Sequence, residues 1–272
     1  MSADLHIHTF FSDGTQSPEE IVELAQKAEL KTIAITDHDV VAGLSRALHK
    51  GNELGVEVIP GIEFTTEARD TEIHILGYFI DLTNAELIEA ITLMQQDREK
   101  RIFKICDKLK GLGVVIDPGK VFEIAGHRAA GRPHVARALV KEGLVSDFKE
   151  AFNRYIDFHG PAYVSHYKLS PEEAIRLVVK AGGIPVYAHP AVSNCDDIIP
   201  ELMVAGLRGL EAYYPSHSHT TTQRYLNLAN KYGLLITGGS DFHGFTSGRE
   251  VKVGDVSIND KLVNKLRDEH LR

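Results

Sequence analysis

Hydrophobic positions in the first 80 residues alternate between two spacings, one typical of strands and one typical of helices. Short apolar runs predict strands, and apolar residues three or four positions apart predict helices between them. Ser17-Pro18-Glu19-Glu20 indicates a helix start, with serine as the N-cap and proline in the first turn. Residues 65–71 leave too little chain for a crossover helix, so we expect the third and fourth strands to be antiparallel. These elements are strands at 3–9, 31–36, 56–64 and 72–80, and a second helix at 41–54.

A helical pattern alone follows residue 81. Residues 85–112 predict one long amphipathic helix, with apolar side chains from Ile88 to Leu109 repeating along one side. We interpret residues 97–163 as an all-helical insertion, which interrupts a domain made of residues 1–96 and 164–272. Shorter helices are predicted inside the insertion at 118–125, 132–142 and 147–157.

Alternation of strands and helices resumes after the insertion. Three more apolar runs bring the predicted strands to seven, with helices between them. This order favours an α/β fold, a distorted TIM-like barrel in which functional side chains lie at the carboxyl ends of the strands. The added strands are 184–188, 210–213 and 235–239, and the added helices are 174–181, 198–205, 221–232 and 260–270.

Composition narrows the class of protein further. The chain has 272 residues, 43% of them hydrophobic and 25% charged, which is ordinary for a globular protein. Its net charge of -8 argues against stable binding to DNA through a basic surface. Cys106 and Cys195 form no disulfide framework. Because we find neither a leader pattern nor an apolar run long enough to span a membrane, we expect a cytoplasmic protein.

Candidate metal ligands lie at the predicted strand ends. His6 and His8 point to the same face of the first strand because they are two residues apart. The pair alone is weak evidence, since His217-Ser218-His219 repeats the spacing. Seven more ligand-type residues are expected at the same barrel mouth, and such a buried ionisable cluster is costly unless it binds metal. The seven are Asp13, His38, Glu63, His74, His189, Asp241 and His243.

Nine ligands are more than one ion can use, so we expect two or three divalent ions. A set of nitrogen and oxygen ligands without thiolate favours Mn, Fe or Zn over Ca or Mg. Two ions about 3.5–4 Å apart can share a hydroxide nucleophile and clamp a phosphoryl oxygen. The pattern therefore indicates metal-dependent hydrolysis.

These motifs resemble the polymerase and histidinol phosphatase (PHP) family. The resemblance covers essentially the whole chain and implies a distorted (β/α)7 barrel with a trinuclear site for phosphoester hydrolysis. It also implies a distribution of the nine residues among the three ions. His6, His8, Glu63 and Asp241 would bind the first ion, Glu63, His74 and His189 the second, and Asp13, His38 and His243 the third. The motifs that carry the resemblance are H-x-H at 6–8, S-D-G at 12–14, T-D-H-D at 36–39, P-G-I-E at 60–63, His74, A-H-P at 188–190 and G-S-D-F-H at 239–243.

Asp13 narrows the resemblance within that family, because the histidinol-phosphatase branch commonly has histidine there. Aspartate together with a helical insertion is similar to the branch of 3′,5′-nucleoside bisphosphate phosphatases, some relatives of which degrade short RNA from the 5′ end. That branch has an R-P-H motif over the metals, matched here by Arg132-Pro133-His134. We expect Arg132 and His134 to bind substrate phosphate. His217 is expected to contact substrate or donate a proton.

The sequence therefore predicts a phosphatase that cleaves a phosphate monoester, or a terminal phosphodiester, of a small nucleotide by means of a metal-bridging hydroxide. Three enzyme alternatives stay open: a 5′-3′ exoribonuclease on short RNA, a phosphatase of the histidinol-phosphate type, and an amidohydrolase-like enzyme. The last often needs a carboxylated lysine at a strand end, and no predicted strand end has one. A regulatory PHP module without activity is a further alternative, although such modules typically lack several ligands.

Overall fold

Eight strands and eleven α-helices make up the part of the chain that the computed structural model describes, residues 2–126, 130–165, 169–244 and 250–272. Phe152–Ile156 is a π-helix and Asp196–Ile198 a 3-10 turn. The strands are β1 Ser2–Ile7, β2 Thr32–Ile35, β3 Glu57–Ala68, β4 Thr71–Tyr78, β5 Ile184–Tyr187, β6 Gly209–Tyr213, β7 Leu235–Gly238 and β8 Ile258–Asn259. The α-helices are α1 Pro18–Lys27, α2 Leu44–Leu54, α3 Ala85–Gly111, α4 Pro118–Ala125, α5 Arg132–Lys141, α6 Phe148–Ala151, α7 Pro171–Lys180, α8 Pro190–Ser193, α9 Ile199–Ala205, α10 His219–Tyr232 and α11 Asp260–His270.

The strands form one sheet in the order β7-β6-β5-β4-β3-β2-β1-β8. β4 is antiparallel to both β3 and β5, which confirms the expectation drawn from the short β3–β4 connection. The chain after β7 returns to β1, because the His8 amide donates to the Phe242 carbonyl at 2.9 Å and the Asp241 amide donates to the His6 carbonyl at 2.8 Å. The sheet is therefore a nearly closed α/β barrel, as predicted.

Gly239 allows this near-closure. A Cβ atom built at Gly239 would lie 2.5 Å from the His6 Cβ and 2.8 Å from Asp4 Oδ1, and would also overlap the His6 amide nitrogen. Any side chain would push the end of β7 away from β1. Glycine is therefore required by the close approach of two backbones.

Three details differ from the sequence-based prediction. A two-residue strand, β8, pairs with β1 and raises the strand count from seven to eight. Ile88 is 46% exposed, and its neighbour Leu87 is the buried residue of that turn of α3. The helix predicted at 147–157 is α-helical only over Phe148–Ala151 and then continues as a π-helix.

The chain divides into two compact units, Met1–Ala90 with Lys168–Arg272, and Ile91–Tyr167. Buried side chains of the first unit include Leu5, Leu76 and Val186 on its strands. The second unit, within which the predicted insertion falls, has an apolar core of its own that includes Ile102 and Leu139. Within the described part of the chain, no helix is both long and apolar enough to cross a membrane.

Helix starts in the first unit follow the predicted chemistry. The Ser17 hydroxyl accepts a hydrogen bond from the Glu20 amide at 3.2 Å, and the Glu20 carboxylate accepts one from the Ser17 amide at 2.7 Å. Ser170 and Glu173 repeat this arrangement at α7. Each pair is a capping box, which satisfies amide groups that the helix cannot pair internally.

Candidate metal centre

The structure brings all nine predicted ligands together at the end of the barrel where β1, β3 and the chain after β7 meet. His6 lies in β1, Glu63 in β3 and His74 in β4. His74 pairs with Thr65, which is two residues after Glu63 in β3. The remaining six follow strand ends or lie in the loop after β1. Eight of the nine form three overlapping groups, within each of which the ligand atoms lie within 4.8 Å of one another. The ninth, His189, contacts Glu63.

The first group consists of His6, His8, Glu63 and Asp241. His6 Nε2 lies 3.1 Å from His8 Nε2, 3.3 Å from Glu63 Oε2 and 3.4 Å from Asp241 Oδ1. A tetrahedral ion with bonds of about 2.0–2.1 Å holds its ligand atoms about 3.3–3.4 Å apart. The four side chains therefore already have the spacing of a coordination shell.

The second group consists of His38, Glu63 and His74, and His189 lies beside it. Glu63 Oε1 lies 2.8 Å from His74 Nδ1 and 3.1 Å from His189 Nε2. His38 Nδ1 is 3.2 Å from Glu63 Oε2, which adds His38 to the residues expected here. Glu63 thus contacts ligands on both sides, as a bridging carboxylate does.

The third group consists of His8, Asp13, His38 and His243. His243 Nε2 lies 3.2 Å from Asp13 Oδ1, and His243 Nδ1 donates to the Asp241 carbonyl at 2.8 Å. His8 Nδ1 is 3.8 Å from the same Asp13 oxygen, so His8 borders this group as well as the first. The resemblance assigned His8 to the first ion alone.

Unpaired buried atoms show that this donor set suits a cation. Among the described residues, Glu63 Oε2, His8 Nδ1 and His189 Nδ1 are buried and have no hydrogen-bond partner. An unpaired buried carboxylate oxygen costs free energy unless a positive charge compensates it. Because the two facing nitrogens of His6 and His8 also point at that oxygen, a shared divalent ion fits the arrangement.

The electrostatics of the site point the same way. Burial by itself would raise the pKa of Glu63, but the imidazoles of His38 and His6 hold that pKa well below its ordinary value. Burial opposes protonation of His8 and His74, yet neighbouring carboxylates raise the pKa of His8 to about 9 and that of His74 to about 10. Protons on these imidazoles therefore supply the positive charge that the carboxylates require in the absence of metal.

Residues outside the predicted set also contact the ligands, and Glu211 and Tyr214 do so in the first group. Glu211, fully buried on β6, lies 2.9 Å from His6 Nδ1. The Tyr214 hydroxyl donates to Asp241 Oδ2 at 2.8 Å. The signal for Glu211 was a single carboxylate inside an otherwise apolar strand; for Tyr214 there was only its position after a strand end.

Loops that carry the ligands are held by further buried carboxylates. Asp37 accepts hydrogen bonds from the Thr9 amide at 2.7 Å and the Ser12 hydroxyl at 2.6 Å. Asp4 accepts from the amides of Ser240 and Gly254 at 2.8 and 2.9 Å. These contacts connect the chain after β1 to β2, and the chain after β7 to β1.

Three of the eight non-glycine residues with positive φ in the described part of the chain lie at the same strand ends. Asp39, His189 and Asp241 have φ angles of 52°, 25° and 50°, a region that residues other than glycine rarely adopt. Such strain persists only where surrounding contacts hold it, and it is common at functional sites. His189 and Asp241 are both predicted ligands.

The three predicted substrate residues lie in two different units. Arg132 and His134 belong to the second unit, where the Arg132 guanidinium lies 5.5 Å from the Tyr163 ring centre. His134 is buried, and its Nδ1 accepts a hydrogen bond from the Gly131 amide at 3.2 Å, at the start of its own helix. In the first unit, His217 Nδ1 donates to the Ala212 carbonyl at 2.9 Å. The role of all three in substrate binding stays a prediction.

Comparison with known proteins identifies the family to which this chain is similar. The model of the PHP domain matches residues 4–164. The chain is 31% identical to a phosphoribosyl 1,2-cyclic phosphate 1,2-diphosphodiesterase of Eggerthella lenta, covering 93% of this chain and 98% of that one. It is 31% identical to a 3′,5′-nucleoside bisphosphate phosphatase of Chromobacterium violaceum, covering 91% and 90%. It is 33% identical to a 5′-3′ exoribonuclease of Haemophilus influenzae, covering 88% and 89%.

A solved structure agrees with these relatives. A proposed metal-dependent phosphoesterase of Bifidobacterium adolescentis superimposes with a TM-score of 0.88 at 30% identity, covering 97% of this chain and 94% of that one. Fold, motifs and ligand clusters thus agree with one another. The chain belongs to the PHP domain family and is a metal-dependent phosphoric ester hydrolase.

Proposed function

We propose that the protein removes a phosphate group from a 3′,5′-nucleoside bisphosphate at a trinuclear metal centre. The observation that carries this proposal is the set of three overlapping ligand groups that share Glu63, His8 and His38. A single ion does not need so many buried imidazoles and carboxylates. Similarity to the Chromobacterium phosphatase supports the substrate class.

We assign nine residues to the three ions. His6, His8, Glu63 and Asp241 hold the first, Glu63, His74 and His189 the second, and Asp13, His38 and His243 the third, with His8 and His38 also close to a neighbouring group. Mn, Fe or Zn suits this mixture of nitrogen and oxygen donors. When bound, such ions polarise a phosphoryl oxygen and activate the attacking water.

We assign the other contacts with the substrate to side chains that bind no metal ion. Arg132 can bind phosphate through two parallel N–H groups. His217 donates from Nδ1 to the Ala212 carbonyl, so its Nε2 is left to accept a proton from the substrate or return one to the leaving oxygen. Burial lowers the pKa of His217, which favours the neutral ring. His134 supports the start of α5, beside Arg132.

A second candidate substrate is a cyclic phosphodiester on a phosphorylated ribose. It is favoured by the Eggerthella diphosphodiesterase, of which the alignment covers 98%. Both substrate names describe a sugar that carries two phosphoryl groups. Short RNA with a 5′ phosphate, suggested by the Haemophilus exoribonuclease, is a third candidate.

Hydrolysis of a substrate panel tests the proposal, with inorganic phosphate measured for the monoesters and the nucleotide or sugar-phosphate products separated by chromatography for the diesters. Metal-depleted protein is reloaded with Mn²⁺, Fe²⁺ or Zn²⁺ and given 3′-phosphoadenosine 5′-phosphate, phosphoribosyl 1,2-cyclic phosphate, histidinol phosphate or a 5′-phosphorylated oligoribonucleotide. We expect the bisphosphate to have the highest kcat/KM and turnover to disappear in the His8→Ala and Asp241→Asn variants. Full metal-dependent turnover by either variant contradicts the site. Preference for another substrate contradicts the proposed substrate.

A further inference from the structure

Glu211 uses both of its carboxylate oxygens on residues of the metal centre. Oε1 lies 2.9 Å from His6 Nδ1, and Oε2 accepts a hydrogen bond from the His189 backbone amide at 2.8 Å. The side chain is fully buried on β6, a strand that supplies none of the nine proposed ligands. One carboxylate therefore contacts ligands assigned to two different ions.

The contact with His6 determines which ring nitrogen is available to a metal. An ionised carboxylate only accepts hydrogen bonds, so His6 Nδ1 must carry the proton that faces Glu211. The lone pair of His6 is then on Nε2, the nitrogen that lies 3.3 Å from Glu63 Oε2. A carboxylate behind a ligating histidine fixes the ring's tautomer and orientation in this way.

The contact with His189 supports a strained backbone. His189 has a φ of 25°, and its amide is directed at Glu211 rather than at a strand partner. This conformation aims the ring so that Nε2 lies 3.1 Å from Glu63 Oε1. Loss of the acceptor would free the residue to relax and would move the ring away from Glu63.

We propose that Glu211 is a positioning residue that holds His6 in its metal-binding tautomer and His189 in its strained conformation, and so connects two ion sites without binding either ion. This inference rests on the metal centre of the proposed function. Its consequence is that removing one charge behind the ligands weakens metal binding at both sites.

Glu211→Gln tests the idea because the amide has the same shape but only one acceptor oxygen. If that oxygen accepts from the His189 amide, the NH₂ group faces His6 Nδ1 and favours a proton on Nε2, which then cannot bind metal. If the oxygen accepts from His6, the NH₂ group opposes the His189 amide. Either orientation loses one of the two contacts.

Zn²⁺ affinity, measured by chelator competition, is the first readout. We expect Glu211→Gln to weaken it about 10- to 100-fold, the range for partners behind metal ligands. Glu57→Gln is the matched control, since Glu57 begins β3 and pairs with Arg267. The second readout is the ¹H–¹⁵N spectrum of Zn²⁺-loaded protein. There we expect a downfield His6 Nδ1–H signal, which shifts upfield in Glu211→Gln.

The outcomes separate this inference from the proposed function. If the wild-type protein binds no Zn²⁺, or if the His8→Ala variant binds Zn²⁺ as tightly as wild type, the proposed metal centre itself is wrong. If wild type binds Zn²⁺ and Glu211→Gln retains both the affinity and the His6 signal, only the role of Glu211 is wrong. Should the variant fail to fold, the wild-type spectrum decides: a proton on Nδ1 supports the inference, and one on Nε2 overturns it.

Discussion

Replacing Tyr214 with phenylalanine removes the hydroxyl that donates a hydrogen bond to a predicted metal ligand. The hydroxyl donates to Asp241 Oδ2 at 2.8 Å, while Asp241 Oδ1 faces His8 Nε2 at 3.1 Å. The ring, which phenylalanine keeps, lies 5.1 Å from the His189 ring and 5.2 Å from the His217 ring. The variant therefore isolates the hydroxyl.

The magnitude follows from the charge and burial of the acceptor. A hydrogen bond to a charged group contributes about 1.5–3 kcal/mol. Asp241 is only 5% exposed, so water replaces the lost donor poorly. We expect the variant to bind its first ion with about 1.5–3 kcal/mol less free energy, which is a Kd roughly 10- to 150-fold higher.

Chelator competition with Zn²⁺ measures the Kd, and phosphate release measures kcat. Tyr232→Phe is the control, because the Tyr232 hydroxyl accepts its hydrogen bond from the exposed Lys231 amine at 3.2 Å. We expect the control to match wild type in both assays. A Tyr214→Phe variant that also matches wild type would refute the argument that this hydroxyl orients Asp241.

Four further predictions concern barrel closure, the pH dependence of stability, proton release on metal binding, and helix capping. Gly239→Ala should lower the free energy of unfolding by about 3 kcal/mol in urea titrations, because its Cβ would overlap His6; a loss under about 1 kcal/mol contradicts that closure. The pKa values of His8 and His74 are raised to about 9 and 10, so their protonated rings should stabilise the metal-free protein. This stabilisation should be fully present below about pH 6.5 and should be lost as the pH rises through 9 and 10, which thermal melts of metal-free protein can show. Metal binding should accordingly release protons near pH 7, measurable by calorimetry in buffers of different ionisation enthalpy, and zero release contradicts it. Ser17→Ala should cost about 1 kcal/mol by removing the α1 capping box, with the exposed Ser216→Ala as a neutral control in the same melts.

Much of the barrel could be predicted because each of its elements has a local cause. Strand spacing predicted β1–β7, and the short connection was enough to orient β4. The predicted loop at 65–71 is nevertheless wrong in its bounds, because β3 continues to Ala68 and β4 begins at Thr71. Residues that follow parallel strands meet at one end of a barrel, so most of the clustering of these side chains could be expected without coordinates, while their role as ligands stays a prediction. The order of motifs then indicated the family.

Other features had no local signal. β8 has two residues, too few to show a period, and pairs with β1 from more than 250 positions away in the chain. The π-helical turn at Phe152–Ile156 follows a helical pattern that also suits an α-helix. Ile88 was expected on the apolar side of α3 and is nevertheless exposed, because Leu87, four residues before Ile91, takes the buried position.

The sequence by itself determined the strand–helix order and the identity of nine ligand-type residues, because hydrophobic period and chemical type are properties of short segments. Tertiary structure alone decided how those residues are shared. It places Glu63 between two groups of imidazoles and His8 against both the first and the third group. It also brings Glu211 behind His6, 205 residues away in the chain. Atoms separated by 3 Å in space belong to strands far apart in sequence, and only the closing sheet brings them together.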